Sequence, residues 1–537
     1  MKMLIPANSR NAFERIVFYA ILALYAEYCI LFILNTSFVA NGVRYFTLHD
    51  DAMISMRYAR NLVRGDGLVW NAGGGRVEGY SNFLWVLVMA VVHLFPLAPE
   101  KISCVIEILG MLILCLNLFV VRRIALFLSE SHPVAIGSVI LTALYYPIND
   151  WTLRGFEVGA LLLAINLVLS EILSTEKDHR LSPSALLVIG LGVLIRADAA
   201  VLFTSLLVAS AVFKERSPAR LQWRALMVLG GVLAAHTTFR MLYYGDWLPN
   251  TYYLKMTGTP VMLRLHEGAI RLWEFIGDAS AIFFLLPLLL FLMYPSKRWQ
   301  VRILFATFAV QCAYSVFAGG DIYDAYHIAN RYLSVVMPVL FILLSWSFWG
   351  LLENLRFKLA VRLSGREWNL KGLLYSAMVA LAWYSFNQGQ IYSAAVLAPA
   401  LEASKDMQRV LIARAVRRLT TADAEIAVTA AGAVPYFADR RSIDILGKND
   451  RHIARMDSRV KGEFLPGHDK WDYDYSIRGR FPDIIVELWG NPHEIQSFID
   501  QYYIAVALND HTRIYCRNFS PHIRSDSMAA VMHSLPE

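Results

Sequence analysis

Charge is in short supply in this 537-residue chain: Asp, Glu, Lys and Arg make up 17% of it, against 57% hydrophobic and 13% aromatic residues. With a mean hydropathy of +0.44, that scarcity excludes a single soluble domain of this length and predicts a polytopic membrane protein. Cysteine is scarce as well. Of the five, Cys29, Cys104, Cys115 and Cys312 fall in apolar runs and only Cys516 lies outside them, so neither a disulfide framework nor a zinc pattern can be assembled. There is no basic tract interleaved with aromatics, and no nucleic acid is expected as a partner. The formal charge of +7 has another origin, because Lys and Arg gather in short loops between apolar runs, where they set membrane topology. Internal repeats and low-complexity tracts are also missing, which argues against the inverted halves common in transporters.

What the chain has in abundance is apolar stretches of membrane length. About 20 residues are needed to cross the hydrocarbon core, and eleven runs are expected to do so: Ile16–Val39, Ile102–Leu126, Val134–Pro147, Phe156–Leu173, Ala185–Ile195, Val201–Phe213, Ala225–Tyr243, Ala279–Tyr294, Ile303–Phe317, Leu333–Leu352 and Gly372–Phe386. The first is too long for a signal-peptide core and has no small-x-small cleavage site, so it is read as retained. A twelfth run, Tyr80–Phe95, decides the topology. If it dips into the membrane face without crossing, Arg122-Arg123, Lys177–Arg180, Lys214–Arg224, Lys297–Arg302 and Arg356–Lys371 all lie on one side with Lys2, Arg10 and Arg15. That side is the cytoplasm.

Four polar loops then share the opposite face: His49–Asn82, Asn149–Glu157, Tyr243–Lys255 and Gly319–Arg331. Residues 1–387 are expected to form the membrane module, with a long first outer loop at 40–101, and residues 388–537 a soluble α/β domain on the same outer side. In that domain Glu425–Ala433, Ser442–Leu446, Pro482–Leu488, Tyr503–Leu508 and Thr512–Cys516 read as short buried strands, and Met407–Leu419 and Pro492–Tyr502 have helical spacing.

Candidate chemistry sits in the outer loops. Asp50 and Asp51 open the amphipathic stretch MISMRYARNLV, and two acids beside a membrane, followed by Arg57 and Arg60, go beyond a helix cap. Glu157 lies at the mouth of an apolar helix; it is either a third acid over the same cavity or the partner of Arg154 in a helix-end ion pair. Arg196 and Asp198 interrupt an apolar stretch, as an ion pair or as an anion site. Lys255 ends YYGDWLPNTYYLK, whose tyrosines an aromatic belt would explain. The loop AGGDIYDAYHIANRY supplies Asp321, His327 and Arg331, and its two glycines fit either a close ligand or a plain turn. His452 and His468, near Asp450, Asp469 and Asp472, match no metal-loop spacing and read as solvated surface. Several acids and cations around one membrane-level cavity suit a lipid-linked sugar phosphate. Such a substrate needs cations for its phosphate, a base for the incoming hydroxyl and apolar walls for its tail.

The stretches HDDAMISMRYARNLVRGDGLVWNAGGGRVEGYSNFLW, LRGFEVGALL, LIRADA, RMLYYGDWLPNTYYLK, AGGDIYDAYHIANRYLSVVMP and, later, AAGAVPYFADRRSIDILGKNDRHIAR with PGHDK together resemble the AftB-like group of C-type (GT-C) glycosyltransferases. These are terminal arabinofuranosyltransferases with a polyprenyl-phosphate arabinofuranose donor. The match runs in order from Phe46 to Asp483, and its YYG-x-x-LPNT-x-Y-x-K and GGD elements are specific. The resemblance implies a GT-C-like polytopic α-helical membrane protein of about eleven transmembrane helices with a C-terminal α/β periplasmic domain, in a bacterial inner membrane. It puts the base at Asp50 or Asp51, Glu157 at the site, and Lys255 and Arg331 at the donor phosphate, with Asp321, Tyr253, Arg196, Arg57 and His327 near them. Membrane lipid, the polyprenyl-phosphate sugar and a glycan or protein acceptor are the implied partners, and no cofactor is expected. The departures are Val158 where a small polar residue is expected, and Ala197 where proline is. A flippase of lipid-linked sugar is the rival class, and a hexose the rival donor.

Overall fold

The computed structural model describes residues 7–174, 181–214, 222–293, 299–326, 330–354, 360–363, 366–460, 462–509 and 512–524. Lys2, the basic loop Lys177–Arg180 and the candidate His327 lie outside the described residues. Each predicted apolar run carries a helix: Ala7–Thr36, Pro99–Ser129, His132–Ala143, Val158–Ser174, Pro183–Ile195, Ala199–Phe213, Trp223–Tyr244, Ile282–Met293, Trp299–Ala318, Met337–Asn354 and Leu370–Asn387. A helix satisfies its own backbone, which is why an apolar run in lipid takes that form. Four spans, within Ala7–Thr36 and in Pro99–Ser129, Trp223–Tyr244 and Trp299–Ala318, are long and apolar enough to cross alone. Two more arise from bent pairs, Tyr146–Leu153 with Val158–Ser174 (118°) and Val261–Asp278 with Ile282–Leu292 (88°). The remaining apolar helices are shorter and pack within the bundle. The run Tyr80–Phe95 forms Phe83–His93, whose 11 residues reach only about 16 Å, half the hydrocarbon thickness. Val261–Asp278 is not among the expected runs, because Arg264, Glu267, Arg271 and Glu274 interrupt its apolar residues.

The five expected strands form one sheet in the order Arg441–Asp444, Glu425–Val428, Ile484–Ile485, Thr512–Arg517, Tyr503–Asn509. The first three are parallel and the last two antiparallel to their neighbours. Helices Ala403–Leu419 and His493–Tyr502 flank the sheet. Two small antiparallel hairpins, Phe38–Ala40 with Val43–Tyr45 and Ala360–Leu363 with Arg366–Asn369, were not foreseen.

The helix Asp50–Arg64 joins the two parts. Its acids stand at the positive end of the helix dipole and Arg64 at the negative end, and Gly65 stops it in the left-handed region at φ 91°. Its apolar face (Ala52, Met53, Met56, Ala59) shares one core with Trp85 and Met89 below it and with Val416, Ile426, Val434 and Tyr436 of the sheet domain above. The charged face docks too. Arg60 donates to the Tyr436 carbonyl at 2.6 Å and pairs with Asp439 at 2.8 Å. The sheet domain therefore sits on the first loop as part of one core, fixing which of its loops look down on the membrane face.

Candidate active site

Asp50 and Asp51 are adjacent, and one residue of helix turns the side chain by about 100°. The consequence is that they do different things. Asp50 is buried, and its carboxylate accepts the backbone N–H groups of Ala433 (2.8 Å) and Gly432 (3.3 Å). It holds the sheet domain down. Gly432 has to be glycine for this contact, since a Cβ there would overlap the Asp50 carbonyl. Asp51 instead faces a group of cations. Lys448, from the loop after strand Arg441–Asp444, donates to its Oδ1 at 2.5 Å, and Arg331 lies 3.7 Å from its Oδ2. Burial by itself would raise the Asp51 carboxyl, but Lys448 and then Arg331 hold it well below the usual carboxylate value.

Arg331 is fixed by Asp321, which takes its Nε at 2.7 Å and Nη2 at 3.1 Å in a forked pair. Its guanidinium also lies 4.8 Å from the Phe156 ring centre and 5.6 Å from that of Tyr323. Asp321 is kept low despite its burial by Arg331 and Lys255. The glycines before it both have positive φ, 84° and 76°. A side chain at Gly319 would strike Phe464 of the sheet domain, and one at Gly320 would strike Asp324 and Arg271. The positive φ of both glycines fits the turn reading, and the close packing at each position adds a second reason for the absence of a side chain.

Lys255 ends the short helix Asn250–Met256, its stem against Gly467. Among the described residues it has no carboxylate in ion-pair reach, and its field is shared with Arg331, Asp321, Asp51 and Lys448. Burial above all, helped by the like charge of Arg331, brings its ammonium down to about 8. Tyr253 of the same helix turns the other way, under the Arg455 guanidinium at 4.2 Å.

Glu157 and Arg196 belong to a neighbouring network. Both Glu157 oxygens are taken, by Asn82 Nδ2 (2.9 Å) and Arg196 Nη1 (3.1 Å), while Arg196 also grips Asp198 with two bonds of 2.9 and 2.6 Å. The alternative partner for Glu157, Arg154, points instead to Asp406 and Asp150. A crevice of only about 10 Å³, room for little more than one water, is lined by Arg331, Arg196 and Asp198 together with Val158, Leu161 and Leu202. Arg57 stands apart. Its nitrogens donate to the carbonyls of Trp70, Pro435 and Arg440 and to Asn71, tying the first loop to the sheet domain.

Two residues of the site were not singled out from sequence. Lys448 donates to Asp51, and in the sequence it lies within a stretch that carries the resemblance without a local pattern of its own. The signal that would have found it is Asn250 of the LPNT element, whose side-chain N–H₂ serves the carbonyls of Gly447, Lys448 and Asp450 at 2.9–3.1 Å. His468 of PGHDK was read as solvated surface but comes down beside Lys448, Asp51 and Lys255. Burial and then the Lys448 charge lower it to about 4, so it is a neutral imidazole at pH 7. His452, by contrast, stays at the edge with Asp472 at 3.0 Å.

Residues 399–524 match a family described as a domain of unknown function, DUF8728. Over 221 residues the chain is 29% identical to a terminal β-(1→2)-arabinofuranosyltransferase of Mycobacterium tuberculosis, a match that takes in 38% of this chain and 34% of that protein. The aligned segment thus spans about a third of the curated relative's length. Crystal structures of ArnT from Cupriavidus metallidurans, one bound to undecaprenyl phosphate and one apo, have TM-scores of 0.57 and 0.56 to this chain. They are 13% identical and cover 94% of it and 98% of their own chains. At that identity the likeness is one of fold. The chain has the GT-C architecture expected from its motifs, and the curated match falls in the arabinofuranosyltransferase group that those motifs resemble.

Proposed function

We propose that this chain is a multi-pass glycosyltransferase of the bacterial inner membrane. In this reading it moves a sugar, D-arabinofuranose, from a polyprenyl-phosphate donor to a hydroxyl of an envelope glycan or surface protein on the periplasmic face. The observation that carries the proposal is Asp51, one carboxylate set between Lys448 and Arg331, with Lys255 sharing their field. The arabinofuranosyltransferase match supports the sugar, and the undecaprenyl phosphate in the similar ArnT fold supports the lipid carrier.

In this reading Asp51 takes the proton of the acceptor hydroxyl while its oxygen bonds to the anomeric carbon. The carbon–oxygen bond to phosphate breaks, and that electron pair leaves on the polyprenyl phosphate. One negative charge thereby passes from Asp51 to the phosphate. Three cations (Lys255, Arg331, Lys448) face two carboxylates (Asp51, Asp321), so the site has a positive excess where the leaving group collects charge. Asp321 orients Arg331, and Glu157 orients Arg196 in the neighbouring network. The phosphate is neutralised by side chains, with no resident metal assigned a step. Detergent-purified protein given synthetic polyprenyl-phosphate arabinofuranose and a panel of glycan and protein acceptors is expected to release polyprenyl phosphate. Release from a hexosyl donor alone would replace the sugar, and no release from any donor would overturn the reading.

A further inference from the structure

Two lysines of the sheet domain reach down towards the membrane part, and their hydrogen bonding differs. Lys470 Nζ donates to three backbone carbonyls, those of Thr257 (2.8 Å), Ala454 (2.9 Å) and Tyr253 (3.2 Å), so every N–H it carries is used. Lys448, 8% exposed where Lys470 is fully buried, has for its Nζ among the described residues the one acceptor Asp51 Oδ1, which leaves two N–H donors over. Its backbone is nonetheless fixed. Asn250 holds the carbonyls of residues 447, 448 and 450, and Asn449 is anchored to Asp444 by its backbone N–H (2.8 Å) and its side chain (2.9 Å). A rigid loop thus carries a flexible four-carbon stem whose head is partly unsatisfied, and such an ammonium can swing between acceptors without moving the fold.

Resting on the transferase reading, we propose that Lys448 is exchanged between Asp51 and the donor phosphate, so that Asp51 is freed to act as base only when the lipid phosphate is in place. A carboxylate gripped by both Lys448 and Arg331 is a poor proton acceptor, because each cation favours its charged form. Handing Lys448 to the phosphate leaves Asp51 with Arg331 at 3.7 Å and strengthens it as a base, while adding a charge-assisted bond to the leaving group. Without the donor, Asp51 stays neutralised. The other charged or titratable groups around the pair include His49 and Asp50 beside Asp51, Asp321 and Arg331 from the Gly-Gly-Asp loop, Lys255 from helix Asn250–Met256, and Asp444 and His468 from the sheet domain.

The test is a double-mutant cycle on binding of polyprenyl phosphate alone, with Asp51→Asn and Lys448→Met made singly and together in the full chain. Lys448→Met should weaken binding about tenfold. Asp51→Asn should tighten it about tenfold where Lys448 is present, since the lysine no longer has to leave a carboxylate, and less than about threefold in the Lys448→Met background. Equal tightening in the two backgrounds, or unchanged binding by a folded Lys448→Met protein, refutes the exchange and leaves the transferase reading standing. Lys448→Arg keeps the charge and reports on loop integrity; it should bind within about threefold of the parent. A parent protein that binds no polyprenyl phosphate would remove the underlying reading itself.

Discussion

Replacing Asp50 and Asp51 by Asn, one at a time, separates two tasks carried by neighbouring carboxylates. Asp51→Asn keeps the shape but removes the proton acceptor, and a positioned general base contributes about 10²–10⁴ in rate, or roughly 2.7–5.4 kcal/mol of barrier. Asp50→Asn keeps one acceptor oxygen for Ala433 but loses the charge behind two bonds that hold the sheet domain. Hydrogen bonds to charged groups contribute about 1.5–3 kcal/mol, so its effect should appear as lowered thermal stability of the interface. Polyprenyl phosphate release from the arabinofuranose donor, measured well below the unfolding temperature, is expected to fall by 10²–10⁴ for Asp51→Asn and by less than about threefold for Asp50→Asn. Thermal unfolding should show the shift to lower temperature in Asp50→Asn. A folded but inactive Asp50→Asn protein beside an active Asp51→Asn protein would refute the assignment, since the buried Asp50 would then be doing the chemistry.

Lys255 titrates at about 8, below the ordinary lysine value, so it is charged below that pH and neutral above it; affinity for polyprenyl phosphate should therefore fall as pH rises past 8, and Lys255→Arg should remove that alkaline limb. Asn250→Ala strips three backbone carbonyls of their donor, at a cost of about 1–3 kcal/mol. Lower thermal stability together with weaker donor binding is expected, because the loop it releases carries Lys448.

The membrane helices were legible because lipid tolerates little besides apolar helix, and the sheet strands because short β-rich runs lay between turn signals. Where the apolar pattern was diluted by charge, as in Val261–Asp278, composition hid the element. Its arginines face inward and are satisfied there, Arg264 by the carbonyls of Met256 and Phe317 and Arg271 by those of Asp321 and Phe464. Hydropathy along the chain cannot register such pairing.

For the site, the sequence by itself named the loops and most of the charged residues: Asp51, Lys255, Asp321 and Arg331 do come together, and Glu157 joins Arg196 next to them. Local patterning carries that much, since an acid or a cation at the mouth of an apolar helix is costly and therefore conspicuous. The tertiary structure decided the rest. Only the rotation of one helical residue separates Asp50, turned to the backbone of the sheet domain, from Asp51, turned to the cations. Only the docking of that domain brings Lys448 and His468, about 400 residues further along the chain, onto the first loop. Chain-distant contacts of this kind are set by packing geometry, which leaves no periodic trace in a sequence.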